Sequence, residues 1–385
     1  MPIETPPETQ SPRMDSSSNQ SMKSSVMSSE KLAFRRRWRH LSDKTAKVGI
    51  AVGGISVIVA ILLIFAYLFY EVVPLFAGAK VEPSSSYVLE DSSASLHLAI
   101  EEQSEMAMRL GNDGVARFFD LESGESVASI PISLPDQAQI TSFSLDSEQS
   151  GLFALGLDTG EAVIARYAYD TRFAALDNRR ILTPKIEYPF GEVPYTLTDD
   201  KALASIALRT SGENMVLAAT AEGGGLSLLK ASKQTSLFAA FDLGGGAEFE
   251  IEEKRINGLA LGGEQLFIDG DRFWLFVVND EGLARLLNLR SAFTANNLQF
   301  EVRALLTEGR ASPTDIAFLL GGISLLVADD QGAIAQWFLT RRDNTVALEK
   351  IRSFEGSESP IVSLTPEQRR KSFVSVDSQG VVSLF

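Results

Sequence analysis

The sequence predicts a mainly β chain: a degenerate WD-like β-propeller of about six blades, preceded by a single transmembrane α-helix. Three observations lead there. Residues 48–70 run for 23 positions without a formal charge. From about residue 86 onward, a strand, a glycine turn and a second strand recur six times. The period of that unit is mostly near 50 residues, which suits four strands per repeat.

Residues 1–29 are rich in Ser, Pro and Met and poor in bulky apolar residues, so a disordered cytoplasmic tail is expected. Residues 30–47 form a basic juxtamembrane segment, with Lys31, Arg35, Arg36, Arg37, Arg39, Lys44 and Lys47 against Glu30 and Asp43. Such a run sets topology and suits contact with anionic headgroups. Residues 48–70 follow as the span (VGIAVGGISVIVAILLIFAYLFY). As a helix it covers about 34 Å, enough for a hydrocarbon core of about 30 Å. Trp38, Tyr67 and Tyr70 suit the interfaces.

The far flank opens with Glu71 and has no base until Lys80, so the N-terminus is expected in the cytoplasm and the rest outside. The rival reading is a cleaved signal peptide, with Arg35-Arg36-Arg37 as a twin-arginine mimic and Ala77-Gly78-Ala79 as the cleavage site. Signal h-regions run about 7–15 residues, shorter than this span. Gly49 and Gly53 form a GxxxG pair, read as a packing face or as small residues tolerated at a helix end. Residues 71–85, with Pro74 and Gly78, form the linker to a domain at 86–385.

The net charge is −15, but residues 1–47 are +4 and the part beyond the span is −19. So acidic a domain lacks the basic footprint of nucleic-acid binding, and no nucleic-acid partner is expected. There is no cysteine, hence no disulfide framework and no thiolate chemistry.

The repeat glycines are Gly114, Gly160, Gly225, Gly282, Gly332 and Gly380, spaced by 46, 65, 57, 50 and 48 residues. Most follow Asp, Glu or Gln, or a further Gly, as hairpin turns with positive φ require. The strand after each turn ends on a bulky residue: Phe119, Tyr167, Leu229, Leu287, Trp337 and Phe385. An earlier strand is expected at ITSFSL (Ile140), LASIAL (Leu203), INGLAL (Ile256), TDIAFL (Thr314) and IVSLTP (Ile361), with a variable fourth in the gaps. The long spacings call for insertions at Arg172–Thr198 and Gly244–Arg255. The sixth unit stops after its third strand, so Ser86–Glu90 is expected to fill the gap, with Tyr87–Leu89 pairing Val381–Leu384. A stop within a blade also suggests a truncated sequence. A β-sandwich is the alternative architecture.

No catalytic constellation, cofactor site or metal site emerges, and no enzyme is expected. The two histidines are His40 in the basic tail and His97 in an expected strand. No phosphate loop of the GxxxxGK[ST] type is present. The pairs Asp269/Asp271, Asp280/Glu281 and Asp329/Asp330 read as solvated turn carboxylates rather than a cation loop. Arg117, Arg166 and Arg285 read as surface or inter-blade pairs, with a channel-facing anion site as the alternative.

The run FRRRWRHLSDKTAKVGIAVGGISVIVAILLIFAYLFYEVVPLF (Phe34–Phe76) resembles the start of the long phosphate ABC-transporter permeases of proteobacteria, the PstC type. In that family an N-terminal helix with a Tyr-rich end and a V-x-P-L-F exit leads into a large periplasmic insertion. The resemblance implies a bacterial inner-membrane protein with its large domain in the periplasm. Its implied partners are a second permease subunit, an ABC ATPase subunit and a periplasmic phosphate-binding protein. The chain departs from the family in having no second hydrophobic segment long enough to cross a membrane, so no transport residue carries over. The alternative is a stand-alone bitopic protein whose propeller is an interaction or sensor module.

Overall fold

A computed structural model describes residues 29–76, 86–89, 92–175, 179–233, 249–256, 261, 264–294, 299–343 and 345–385. The expected tail therefore lies outside the described residues. The chain divides into two units, Met1–Lys80 and Val81–Phe385.

The first unit is one helix, α1 (Ser29–Val72), followed by a 3-10 turn over Val73–Phe76. Its 44 residues make about 66 Å of helix. The basic segment and the apolar span are thus continuous, because no Gly or Pro separates Leu41 from Val48. Thr45 and Ser56 turn their hydroxyls inward, onto the carbonyls of Leu41 and Gly53. Pro74 ends the helix, since proline disfavours helical geometry in the residue before it. Leu41–Val72 is long and apolar enough to cross a membrane. A methyl group added at Gly49 or Gly53 would touch nothing, so that face is open.

The second unit holds six antiparallel sheets in chain order. Blade 1 is β1 (Ser95–Ile100), β2 (Met106–Gly111), β3 (Val115–Asp120) and β4 (Ser126–Pro131). Blade 2 is β5 (Ile140–Ser147), β6 (Leu152–Leu157), β7 (Glu161–Phe173) and β8 (Arg180–Glu187), with β9 (Tyr195–Thr196) pairing the start of β7. Blade 3 is β10 (Leu203–Ser211), β11 (Asn214–Ala221), β12 (Leu226–Lys233) and β13 (Phe249–Ile256). Blade 4 is β14 (Gln265–Ile268), β15 (Trp274–Val278), β16 (Leu283–Asn288) and, after the short helix α2 (Leu289–Thr294), β17 (Val302–Leu305). Blade 5 is β18 (Pro313–Phe318), β19 (Ser324–Asp329), β20 (Ile334–Arg342) and β21 (Thr345–Phe354). Blade 6 is β22 (Ile361–Pro366), β23 (Phe373–Asp377) and β24 (Val382–Leu384). The architecture is a six-bladed propeller, and the predicted fold class holds.

Stacking of blades explains the sequence pattern. The second strand of a blade lies between two neighbouring sheets, so both its faces are buried. β2, β6 and β15 are accordingly buried at every position and read as unbroken apolar runs. Outer strands such as β13 (FEIEEKRI) are polar because they meet solvent. All six repeat glycines have positive φ, between 74° and 103°. At five of these turns the glycine N–H closes onto the carbonyl three residues back. In blades 4, 5 and 6 that third residue is Asn279, Asp329 or Asp377, whose side chain accepts further turn N–H groups.

Five hydrophobic clusters join the blades in sequence. Met108 and Phe118 meet Phe153 and Leu155; Ile164 and Leu152 meet Ile206 and Leu217; Val216 and Leu228 meet Leu275 and Val277. Phe276 and Leu286 then meet Leu325 and Trp337, and Leu326 and Ile334 meet Phe373 and Ile361. No such cluster joins blade 6 to blade 1 among the described residues. There an exposed ion pair, Arg369 to Glu102 at 2.6 Å, spans the seam. Leu98 and Ile100 of β1, each 61% exposed, alternate with buried Ala99. Val382 and Leu384 of β24 are likewise exposed.

Three expectations need correction. Ser86–Leu89 is not a strand and does not complete blade 6. Tyr87 instead lies edge-on to Phe119 at 6.0 Å and donates its hydroxyl to the Leu121 carbonyl, on blade 1. Those contacts with blade 1 hold Tyr87 away from β24; Glu90 is outside the described residues. The innermost strand of blade 4 is β14, not INGLAL: Ile256 closes β13, and 257–260 lie outside the described residues. The segment read as an insertion at Gly244–Arg255 contains β13 itself, from Phe249, with 244–248 outside the described residues. The Arg172–Thr198 segment is β8 plus a flap whose Phe190, Tyr195 and Leu197 plug the core between blades 2 and 3.

Two predictions follow from this packing. A Cβ at Gly332 would sit 2.0 Å from the Ser357 carbonyl oxygen, whereas one at Gly380 meets nothing within 4 Å, although both have φ near +80°. Gly380→Ala should cost about 1–2 kcal/mol from left-handed strain alone, and Gly332→Ala about 1–3 kcal/mol more in urea unfolding. At the seam, Leu98→Ser should change stability by no more than about 0.5 kcal/mol, while Leu217→Ala, at 0% exposure, should cost about 2–5 kcal/mol.

Candidate functional site

The innermost strands of all six blades surround a central cavity of about 780 Å3. Because strand residues alternate sides, each inner strand sends some side chains into the core between blades and others into this channel. Its lining is largely apolar, with His97, Ser144, Asp146, Glu148, Arg209 and Asp315 among the polar residues on it.

Three inner-strand side chains lace neighbouring blades together. Ser144 of β5 accepts the Leu208 N–H at 3.0 Å, Ser205 of β10 accepts Leu266 N–H at 3.2 Å, and Asp315 of β18 accepts Leu364 N–H at 2.6 Å. Each bond joins one blade's inner strand to the next blade's. These strands have no sheet partner on the channel side, so a side chain supplies the missing acceptor. Asp146 does the same with two oxygens: Thr210 N–H reaches Oδ1 at 2.7 Å and the Thr210 hydroxyl reaches Oδ2 at 3.0 Å.

Arg209 is the central member. From blade 3 its guanidinium donates to the Asp146 carbonyl of blade 2 and to the Ile268 carbonyl of blade 4. Asp146 Oδ1 lies 3.9 Å away, and Asp269 adds a second negative charge. Beside it the backbones of blades 4 and 5 meet directly, with Gly270 N–H donating to the Gly322 carbonyl at 2.8 Å. Gly322 has φ +67°, and a Cβ there would lie 2.6 Å from Gly270 Cα, so this approach requires glycine. Arg209 thus ties three successive blades.

Burial moves the carboxyls here. It raises the Asp269 pKa above the usual range, against hydrogen bonds from the Trp274 and Phe273 N–H groups. It also raises that of Asp315, against those from Leu364 and Ile316. Away from the channel, a hydrogen bond from Arg180 lowers the Glu101 pKa, an ion pair between blades 1 and 2.

His97 lies on β1 at the channel wall, stacked on Phe143 at 5.5 Å. Its Nε2 is 3.5 Å from Glu148 Oε2, and Tyr167 donates its hydroxyl to the same oxygen at 3.0 Å. Burial and that carboxylate push the Tyr167 pKa up, so its phenol stays protonated. His97 is a strand residue, as expected, and it also faces the channel. His40 is on α1, in the other unit.

The remaining expected residues lie elsewhere. Arg117, Arg166 and Arg285 are on the third strands of their blades, outside the channel, and pair with Asp113, Glu187 and Glu264. Pairing is the reading the structure supports. The turn carboxylates are only partly solvated: Asp329 is 7% exposed and Asp269 is largely buried, each accepting turn N–H groups. Among the described residues, no group of three His, Cys, Asp or Glu side chains is placed to hold a metal ion.

Sequence reasoning missed Arg209, Asp146, Asp315, Ser144 and Ser205. Their signal was present as single polar residues inside SFSLDS, ASIALRT and TDIAFL, apolar strands otherwise.

No protein-family model matches the chain, and no curated protein matches it in sequence. Among solved structures it is similar to the Cps50 (Swd1) β-propeller domain of Myceliophteria thermophila, at 15% identity and a TM-score of 0.40, covering 77% of this chain and 97% of that one. It is also similar to Raptor of Chaetomium thermophilum, at 12% identity and a TM-score of 0.46, covering 77% of this chain and 24% of that one.

The raised Asp315 pKa gives a pH prediction. A carboxyl whose folded pKa exceeds its unfolded value stabilises the fold below the unfolded pKa, near 3.8, and loses that contribution as pH rises through the folded value. Asp315→Asn keeps an acceptor oxygen for Leu364 and lacks the titration. The stability of Asp315→Asn relative to wild type should therefore rise from pH 4 to pH 7 in urea midpoints.

Proposed function

We infer that this chain is the membrane-anchored N-terminal and periplasmic part of an ABC-type phosphate import permease, a non-catalytic module that sets a propeller beside the translocation machinery. The observation that carries the reading is the Phe34–Phe76 run: a basic segment, an uncharged span and a V-V-P-L-F exit. Its continuation as one helix from Ser29 to Val72, with a 3-10 turn over Val73–Phe76, supports a single continuous membrane span. Charge supports the orientation, with +4 before the span and −19 after it. The open Gly49/Gly53 face offers neighbouring helices a place to pack.

The non-catalytic part of the reading draws on the channel. Its Asp146 and Asp315 carboxylates accept backbone N–H groups, and Arg209 donates to backbone carbonyls. Those groups hold the ring and are not free for bond-making. Recognition at propeller surfaces is the remaining chemistry, and a fold alone does not name the ligand.

A second reading is a bitopic inner-membrane protein whose propeller is an interaction or sensor module. One observation favours it: among the described residues a single helix is long and apolar enough to cross a membrane.

In-frame deletion of 86–385 from the gene should change the rate of phosphate uptake, or its response to external phosphate, measured with labelled phosphate in whole cells. Unchanged uptake and unchanged regulation would overturn the transport role. An open frame running past the Phe385 codon into several hydrophobic segments of about 20 residues would support the permease reading. A stop codon with no phosphate-uptake genes alongside would favour the bitopic one.

A further inference from the structure

The junction of blades 4 and 5 carries a groove of about 330 Å3. One wall comes from blade 4: Phe273, Trp274 and Asn288, with Arg290 of α2. The other comes from the projecting β20–β21 hairpin: Leu339, Thr340, Arg341 and Val346. Two features set this place apart from the rest of the domain.

The first is charge. Arg290 and Arg341 both face the groove, and neither forms an ion pair among the described residues. Elsewhere some bases, such as Arg180, Arg285 and Lys350, meet carboxylates, and others, such as the exposed Arg303, form no ion pair among the described residues. In a domain of net −19, two arginines on one groove whose lining holds no acidic side chain make a local excess of positive charge. Arg290 is held in place, because its guanidinium lies 3.8 Å from the centre of the Phe273 ring. A guanidinium fixed by its face leaves its edge N–H groups directed outward, ready for an oxyanion.

The second is the apolar lining. Phe273, Leu339 and Val346, all part-exposed, line the groove together with the two arginines, and the buried Trp274 closes its floor. Free phosphate would gain nothing from them. An anionic lipid surface would be repelled by the domain's charge as a whole. A carboxylate carried next to a bulky apolar side chain satisfies both features at once.

We propose that this groove docks an acidic segment of a partner protein, with one carboxylate at Arg290 and Arg341 and an adjacent apolar side chain against Leu339 and Val346. The assignment is independent of the permease reading, since it rests on the blade 4–blade 5 junction alone.

The test uses the full chain in detergent or nanodiscs, with intrinsic tryptophan fluorescence as readout, because Trp274 lines the site. The probe is a synthetic peptide, acetyl-EFDLE-amide, with acetyl-KFKLK-amide as its charge-reversed counterpart. The expected result is saturable quenching by the acidic peptide that weakens from 50 to 300 mM NaCl. Arg290→Ala and Arg341→Ala together should weaken binding at least about tenfold, the loss of roughly one charged hydrogen bond. Arg303→Ala, an exposed arginine on β17 outside the groove, should leave binding unchanged and serves as the folding control. No saturation by 1 mM peptide would overturn the proposal, as would equal binding of the charge-reversed peptide or full affinity in the double variant. Competition by inorganic phosphate alone at equal concentration would reassign the site to a small oxyanion. Binding to anionic phosphatidylglycerol vesicles that the double variant loses, without peptide binding, would reassign it to lipid.

Discussion

A blade of this propeller is a thin sheet with apolar residues on both faces, so it cannot stand without a neighbour on each side. That single requirement governs the domain. It makes second strands such as LFALGL and MAMRLG apolar throughout, where an ordinary half-buried strand would alternate. It also spreads stability over five junctions in series, each a cluster of buried aliphatic and aromatic side chains. The blade 6–blade 1 seam lacks such a cluster among the described residues. Aliphatic side chains remain exposed there, and an exposed ion pair at 71% and 78% side-chain exposure adds little. The seam is therefore the weakest junction of the ring, and local opening there costs least.

The polar residues of the channel answer a second, smaller problem. Inner strands have a sheet partner on one side only, so their other backbone groups need acceptors and donors. Ser144, Ser205, Asp146 and Asp315 supply acceptors, and Arg209 supplies donors. Burying these carboxyls has a cost, visible as the upward pKa displacement of Asp315 and Asp269. That cost is tolerated because the bonds cross between blades, where they fix the angle and register that apolar packing leaves loose.

Much of this was legible in sequence, and the reasons it stopped are physical. The six turn glycines were readable because positive φ is a local demand that few residues meet, and all six have it. The apolar span was readable because length and charge suffice. The bulky residues closing the third strands were readable too: Phe119, Tyr167, Leu229, Leu287 and Trp337 are all buried. Fourth strands were not, because β13 is largely charged and solvent-facing and β17 is only four residues long. INGLAL misled because an apolar run of that length fits an inner strand by composition, while the pairing in blade 4 is made by Gln265–Ile268. The closure by Ser86–Glu90 failed for a different reason. Tyr87 has a better site on blade 1, against Phe119 and the Leu121 carbonyl, and nothing in five residues reports that distant competition. Arg209 was invisible because its role depends on blades 2 and 4 reaching it from 63 and 59 residues away.

The division of charge links the two units. Residues 1–47 carry +4 and the part after residue 70 carries −19, so nearly all the acidity belongs to the propeller unit. Much of it sits on outer strands and turns, as in the EIEE stretch of β13, where it keeps polar edges from pairing with other chains. Against that background a single exposed arginine without an ion pair is hydrated at little cost and says nothing about recognition. A pair of them at one junction, one stacked on Phe273 and both bordering an apolar wall, is thus a feature that ring stability does not explain. Ring stability is already accounted for at that junction by Trp274, Phe276, Leu325 and Trp337 beneath it. Stability resides in the buried floor, and the rim above it is free to be selected for recognition.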